Sequence, residues 1–354
     1  MIKVASIIGA RPYFIKAALV SSALSKEKIK EILIHTCQHY DSSLSRNIFL
    51  NLKLREPDVN LNIQEESQLV QVGKMLVGLE KSLARIKPDL ILIYGDTNST
   101  LAGALVAAKL YIPIIHIEAG ERTYRKNSPE ETNRVICDHV STINCCSTKN
   151  AMKNLAKEGL SKTIVFTGDL MYDLLKSQVN KLKKPKVNLP KQYILFTLHR
   201  FENTNNKGEI AKILKAINNI NQSFVWPIHP RTKKIINKFN IKIPDNMISL
   251  EPVTYTEMIY LLKNATRVIT DSGGIQKEAY WLGIPCITLA NTTGWVKTRI
   301  GKWNQLTFTN YDAIKDLVKF KPTTKRDFGE FGDGKAVQNI VKTIKSYQKW
   351  TSLQ

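Results

Sequence analysis

The chain alternates short, uninterrupted apolar runs, rich in β-branched residues, with longer segments of helical spacing. The runs at 3–8, 31–36, 90–94, 112–117, 142–145 and 163–166 read as strands, with helix-length segments such as 68–86 and 99–110 between them. A strand without polar alternation is covered on both faces, which predicts a parallel sheet with helices on each side. The segment KKPKVNLPK, 183–191, carries two prolines among lysines and no periodicity, and reads as an inter-domain linker. The alternation then restarts with 193–197, 224–228, 247–250, 268–270, 285–289 and 305–307. The pattern predicts an α/β chain of two Rossmann-like doubly wound domains, 1–186 and 187–334. A helix in the tail, 335–354, is expected to pack back on the first domain.

In doubly wound sheets, ligands bind beyond the carboxyl ends of the strands. The predicted strands deliver Gly9-Ala10-Arg11-Pro12, followed by Lys16, then Gln38-His39, Gly95-Asp96-Thr97 and Glu118-Ala119-Gly120 in the first half. In the second half they deliver His199-Arg200, His229-Pro230-Arg231 and Asp271-Ser272-Gly273-Gly274. One polar strand end is ordinary turn chemistry. Seven that mix carboxylates, histidines and arginines point to a ligand site.

The clearest single signal is Ser272-Gly273-Gly274, leading into a helix that carries Glu278. Glycines allow a close backbone approach, and the free N–H groups and dipole of a helix start suit a diphosphate. Glu278, one turn on, is placed to take ribose hydroxyls. The bland alternative is a plain helix cap with the glutamate in solvent. No P-loop pattern occurs, and Gly9-Ala10-Arg11-Pro12 lacks the later glycines of a dinucleotide fingerprint, so no nicotinamide cofactor is expected. Asp96 and Glu118 follow buried strands, and Glu130 opens a predicted helix beside Glu131. Carboxyls sharing one crevice split acid and base roles, whereas separate ones merely cap helices. His35, His116 and His139 read as structural; His39, His199 and His229 stand at strand ends. No pair has metal-ligand spacing on a helix, so no metal is expected.

Composition narrows the partners. Lysine and arginine exceed the acids by 22, but the lysines are scattered and no basic helix or RNA signature collects them. A solvated basic surface is preferred to a nucleic-acid partner. Five cysteines, an odd number without a CxxC pair, fit reduced thiols and a cytoplasmic location. The N-terminal nine residues read as a strand, not a signal segment. No apolar run approaches the roughly 18 residues of a membrane span, so no membrane insertion is expected.

Taken together, GARPYFIKAA, HTCQHYD, YGDTNSTLAGALVAAKL, HIEAGERT with PEETNRV, TGDLMYD, LHRFENT, PIHPRT, LEPVTY and TDSGGIQKEAYWLGIPC resemble the non-hydrolysing UDP-N-acetylglucosamine 2-epimerases, in the family's order. Several of these motifs, with Gly294-Trp295-Val296 and Gly301-Lys302-Trp303-Asn304, are similar to the branch acting on UDP-2,3-diacetamido-2,3-dideoxyglucuronate. The resemblance implies the glycosyltransferase-B fold, two Rossmann-like domains facing a cleft, and a homodimer with a UDP-sugar as its small-molecule partner. It also implies a mechanism: a carboxylate removes the C2 proton as UDP leaves C1, UDP re-adds to the 2-acetamidoglucal, and C2 is protonated from the other face. Asp96, Glu118 and Glu130 match the family's acidic positions, with Lys16 and His199 also catalytic. Arg11, Ser272, Gly273, Gly274, Glu278 and His229 match UDP contacts.

Two departures stand out. Residues 290–294, Ala-Asn-Thr-Thr-Gly, replace a charged Arg-Asp-x-Thr-Glu run beside the sugar and diphosphate. Gln38-His39 keeps only part of an allosteric Gln-His-x-x-Met segment. Competing readings are a hydrolysing relative that releases free N-acetylmannosamine, a transferase of the same fold, and an inactive nucleic-acid binder.

Overall fold

The computed structural model describes residues 2–38, 55–65, 67–125, 127–307 and 310–347, apart from the side chains of Arg11 and Pro12. The chain forms two compact units, Met1–Leu174 with Gly329–Gln354, and Leu175–Phe328.

In the first unit the described strands are β1 (Lys3–Ile8), β2 (Lys30–His35), β3 (Val59–Asn60), β4 (Leu90–Tyr94), β5 (Ile114–Ala119), β6 (Ile143–Cys146) and β7 (Ile164–Phe166). They form one all-parallel sheet in the order β3-β2-β1-β4-β5-β6-β7. The helices are α1 (Arg11–Lys26), α2 (Gln68–Ile86), α3 (Asn98–Lys109), α4 (Pro129–Val140), α5 (Lys149–Lys157) and α6 (Leu170–Gln178), the last crossing into the second unit. Apolar residues of β1 feed two cores: Val4 and Ile8 pack with Phe14, Val20 and Leu24 of α1, while Ala5 and Ile7 pack with Met75, Leu79 and Leu83 of α2. Coverage of both faces is what the unbroken apolar runs require.

The second unit repeats the plan with β8 (Ile194–Thr197), β9 (Phe224–Pro227), β10 (Met247–Leu250), β11 (Arg267–Thr270), β12 (Cys286–Thr288) and β13 (Asn304–Leu306). Its parallel order is β10-β9-β8-β11-β12-β13. The helices that matter below are α7 (Phe201–Thr204), α8 (Lys207–Asn218), α9 (Pro230–Lys238), α10 (Tyr255–Lys263) and α11 (Gly273–Leu282). In each sheet the strand order reverses once, between β1 and β4 and between β8 and β11. Such reversals leave a crevice at the strand ends.

The boundaries fall elsewhere than the proline–lysine run suggests. The division lies inside α6, ahead of 183–191, because Leu170 is buried in the first unit's core. Residues 329–334 also belong to the first unit. Asp169 N–H donates to the Phe331 carbonyl at 3.0 Å, and Asn150 N–H to the Glu330 carboxylate at 2.8 Å. The tail helix α12 (Ala336–Lys345; the four-residue turn Ile314–Leu317 is left unlabelled) places Ala336, Ile340, Val341 and Ile344 against α1; residues 348–354 lie outside the described residues. Among the described residues, no helix is long and apolar enough to cross a membrane.

Candidate active site

In the first unit the chemistry gathers at the strand ends around the β1/β4 reversal. Asp96 follows β4 in a turn whose Gly95 has φ +63°, in the left-handed region that glycine enters without steric cost. Thr97, not Asp96, caps α3, through a reciprocal bond pair with Thr100. The Asp96 carboxylate is thereby left for other partners. It accepts the Tyr13 hydroxyl proton at 2.7 Å and pairs with Arg134 of α4.

Glu118 sits on β5 where the register with β6 slips between Ile117 and Ala119. Its own φ is +69°, rare for a side chain of this size. A bulge of this kind re-aims a side chain, and such strain collects at functional sites. Glu118 pairs with Lys16, which is 8% exposed and whose ammonium lies 4.6 Å from the Tyr13 ring centroid. Tyr13 and Lys16 are one turn apart on α1 and link the two carboxylates. Burial, then the charges of Asp96 and Glu118, push the Tyr13 phenol well above its usual value, so it remains a neutral donor.

Glu130 stands apart from this network. It is exposed, and its carboxylate accepts from Ser128 Oγ at 2.7 Å. Its neighbour Glu131 is buried and joins the cluster: it accepts from Thr123 and Tyr124 N–H groups and pairs with Arg134 at 2.7 Å. Burial alone would raise the Glu131 carboxyl, but these bonds outweigh it and hold the pKa below the ordinary value. Arg134 thus bridges Asp96 and Glu131. Tyr13 and Arg134 are not among the residues that the strand ends single out, and Glu131 reads there only as a helix-start acid, although the spacings 13/16 and 131/134 place each pair on one helical face. Arg11 is the first residue of α1, but its side chain lies outside the described residues, as does His39.

In the second unit, Asp271, fully buried at the end of β11, gathers the neighbouring strand end. It accepts from the His199 and Arg200 N–H groups at 3.0 and 2.8 Å and from Asn203 Nδ2 at 3.1 Å. The His199 ring keeps Nδ1 3.3 Å from Asp271 and lies 5.7 Å, centroid to centroid, from the His229 ring. His229 also caps α9, its Nδ1 accepting from Arg231 N–H. Ser272 is the N-cap of α11 and makes no side-chain cap bond. A methyl group added at Gly274 would meet only Ser272 Oγ, at 3.9 Å, so the backbone is open to a ligand there. Glu278 is buried one turn further on. The neutral 290–294 segment is tied to α11, Thr293 Oγ1 donating to Gln276 at 2.7 Å. Trp295, just beyond it, stacks its ring 4.0 Å from the Lys277 ammonium.

His35 and His116 are buried, as their positions inside strands predict; burial pushes His35 down to about 4. Among the described contacts, His139 Nδ1 donates to its own helix's Val135 carbonyl at 2.9 Å and lies 4.0 Å from Glu158.

The family model for UDP-N-acetylglucosamine 2-epimerase matches residues 22–345. The chain belongs to the UDP-N-acetylglucosamine 2-epimerase family. It is 43% identical to a UDP-N-acetylglucosamine 2-epimerase homolog of Methanococcus maripaludis, over 97% of this chain and 99% of the relative. It is 40% identical to the UDP-2,3-diacetamido-2,3-dideoxy-D-glucuronate 2-epimerase of Pseudomonas aeruginosa, over 97% and 99%. The crystal structure of the Methanocaldococcus jannaschii UDP-GlcNAc 2-epimerase in complex with UDP-GlcNAc and UDP superposes with a TM-score of 0.84. It is 37% identical and covers 97% of this chain and 99% of that one. A lipopolysaccharide outer core galactosyltransferase, 13% identical with a TM-score of 0.57, shares the fold alone. The two-sheet α/β architecture of this epimerase-family chain is that of the glycosyltransferase-B class.

Proposed function

We propose that this chain interconverts UDP-N-acetylglucosamine and UDP-N-acetylmannosamine by eliminating and re-adding UDP. The observation that carries the reading is the paired arrangement of Asp96 and Glu118. They stand at the ends of adjacent parallel strands, each beside its own cation and both beside Tyr13. Two separately held carboxylates suit a reaction in which one takes the C2 proton and the other returns a proton to the opposite face. Lys16 and Arg134 hold them oriented. In the second unit, Ser272, Gly273 and Gly274 at the start of α11 take the diphosphate, Glu278 the ribose, and His199 and His229 the same nucleotide. Glu130, exposed and bonded to Ser128 Oγ outside the Arg134 network, is the third acidic group of the proposal.

The test is proton NMR of the chain with UDP-N-acetylglucosamine in D2O. A UDP-linked epimer carrying deuterium at C2 is expected. Free N-acetylmannosamine with UDP would mean hydrolysis, and no deuterium at C2 would overturn the reading. The diacetamidoglucuronate nucleotide in a parallel sample reads the tolerance at C3 and C6.

We further infer a homodimer, supported by Leu69, Val70 and Val77, apolar residues left exposed on α2. Light scattering should give twice the 40.1 kDa chain mass. A cytoplasmic location is supported by five buried cysteines, all free.

A further inference from the structure

His116 lies on β5, fully buried, two residues before Glu118. Its Nε2 is 2.7 Å from the Gly95 carbonyl oxygen, and its Nδ1 is 2.7 Å from Asp138 Oδ1. A carbonyl and a carboxylate only accept. A neutral imidazole has one N–H and would leave one of these short contacts between two acceptors. Moving the proton to Asp138 is disfavoured: its other oxygen accepts from Arg122 Nη1 at 2.6 Å and from Gly120 N–H at 3.1 Å. Burial would raise Asp138, but the bonds from His116 and Arg122 outweigh this and keep its pKa below the ordinary value.

The acids around the ring outnumber the other cations. Asp138 and Glu158 are the acids, and Arg122, which bonds both, is the other cation. Glu121 is turned to the Ser147 and Thr148 hydroxyls, and His139 stands 4.0 Å from Glu158. Burial pushes the Cys137 and Cys146 thiols up, so neither adds a charge.

The Gly95 carbonyl belongs to the peptide that enters Asp96. Its other end, the Asp96 N–H, donates to the Tyr13 hydroxyl at 3.3 Å. The plane is therefore pinned at both edges, on one side by His116. We propose that His116 is a buried imidazolium that positions both carboxylates, through the Gly95–Asp96 peptide on one strand end and through its own strand on the other. Its effect on turnover rests on the epimerase reading; its charge does not.

NMR of the full chain with 15N-labelled histidine, near neutral pH, reads the ring directly without substrate. Both His116 nitrogens are expected to carry a proton, one for each acceptor. A single unprotonated His116 nitrogen near neutral pH would overturn the proposal. His116→Phe fills the space without the bonds and is expected to lower kcat on the order of 10²-fold, the scale of a misplaced catalytic group. Its UDP affinity should stay within about two-fold. His116→Gln, which keeps one donor nitrogen in place of two, should recover part of the loss. A folded His116→Phe with unchanged kcat would overturn the positioning role. Should that variant not fold, the wild-type ring signals still decide. Absence of turnover in the wild type would sink the epimerase reading alone.

Discussion

Gly95→Ala tests how tightly the Asp96 turn is built. At φ +63° an alanine pays the left-handed penalty of about 1–2 kcal/mol. Its Cβ would also overlap the edge of the Tyr13 ring and the Tyr13 hydroxyl. That ring cannot simply rotate away: it is buried in the α1 core, with the Lys16 ammonium over it. Overpacking of this kind costs about 1–3 kcal/mol. A combined loss of about 3 kcal/mol corresponds to a fall of roughly 6–12 °C in the melting temperature for a unit of this size. Gly73→Ala is the matched control, since Gly73 lies within α2 in the same unit with nothing within 4 Å of the added carbon. It should gain about 1 kcal/mol from helix propensity. Differential scanning calorimetry of both variants is the assay, with C2 deuterium exchange measured alongside. Moving Tyr13 also removes a hydrogen bond from Asp96, so exchange should fall in Gly95→Ala at temperatures where the protein remains folded. Equal melting temperatures for Gly95→Ala and wild type would refute the reasoning, as would an equal loss in both variants.

Asp96→Asn and Glu118→Gln should each lower kcat on the order of 10²-fold with UDP affinity retained, the magnitude of lost acid–base assistance; steady-state kinetics with UDP titration separates the two effects. Ser272→Ala should weaken UDP binding and leave the melting temperature nearly unchanged, because the Ser272 side chain makes no cap bond; calorimetric titration reads it. Glu131 has a folded pKa below its ordinary 4.5. Its stabilisation is therefore complete above that value and is lost as pH falls through the folded pKa. Glu131→Gln should melt lower than wild type at neutral pH, and the gap should close in acid; a gap independent of pH would count against the assignment.

The second unit shows how far each level of description carries. The run Ile194–Thr197 and the turn Asp271-Ser272-Gly273-Gly274 were legible as a strand and a helix start because their apolar period and glycines are local signals. The role of Asp271 was not. Its three N–H and amide donors come from residues about 70 positions earlier, in the turn after β8 and on α7, and only the parallel pairing of β8 with β11 brings them within reach. The edge strand Val59–Asn60 was likewise missed, since two residues carry no period.

The amino-acid order alone determined the α/β class and the strand ends at which polar residues would appear. Those properties follow from apolar periodicity and turn chemistry, which act within a few residues. Tertiary structure decided which of the polar groups act together. Glu131 rather than Glu130 meets Arg134, because the first turn of α4 sets one carboxylate inward and leaves its neighbour exposed. Glu118 is aimed by a bulge that depends on the register of β5 with β6. His116 gained its two acceptors only when α4 brought Asp138, and β4 brought Gly95, to opposite edges of its ring. Hydrogen bonds and ion pairs have a range of a few ångströms, so their partners are settled by the packing of elements distant in the chain.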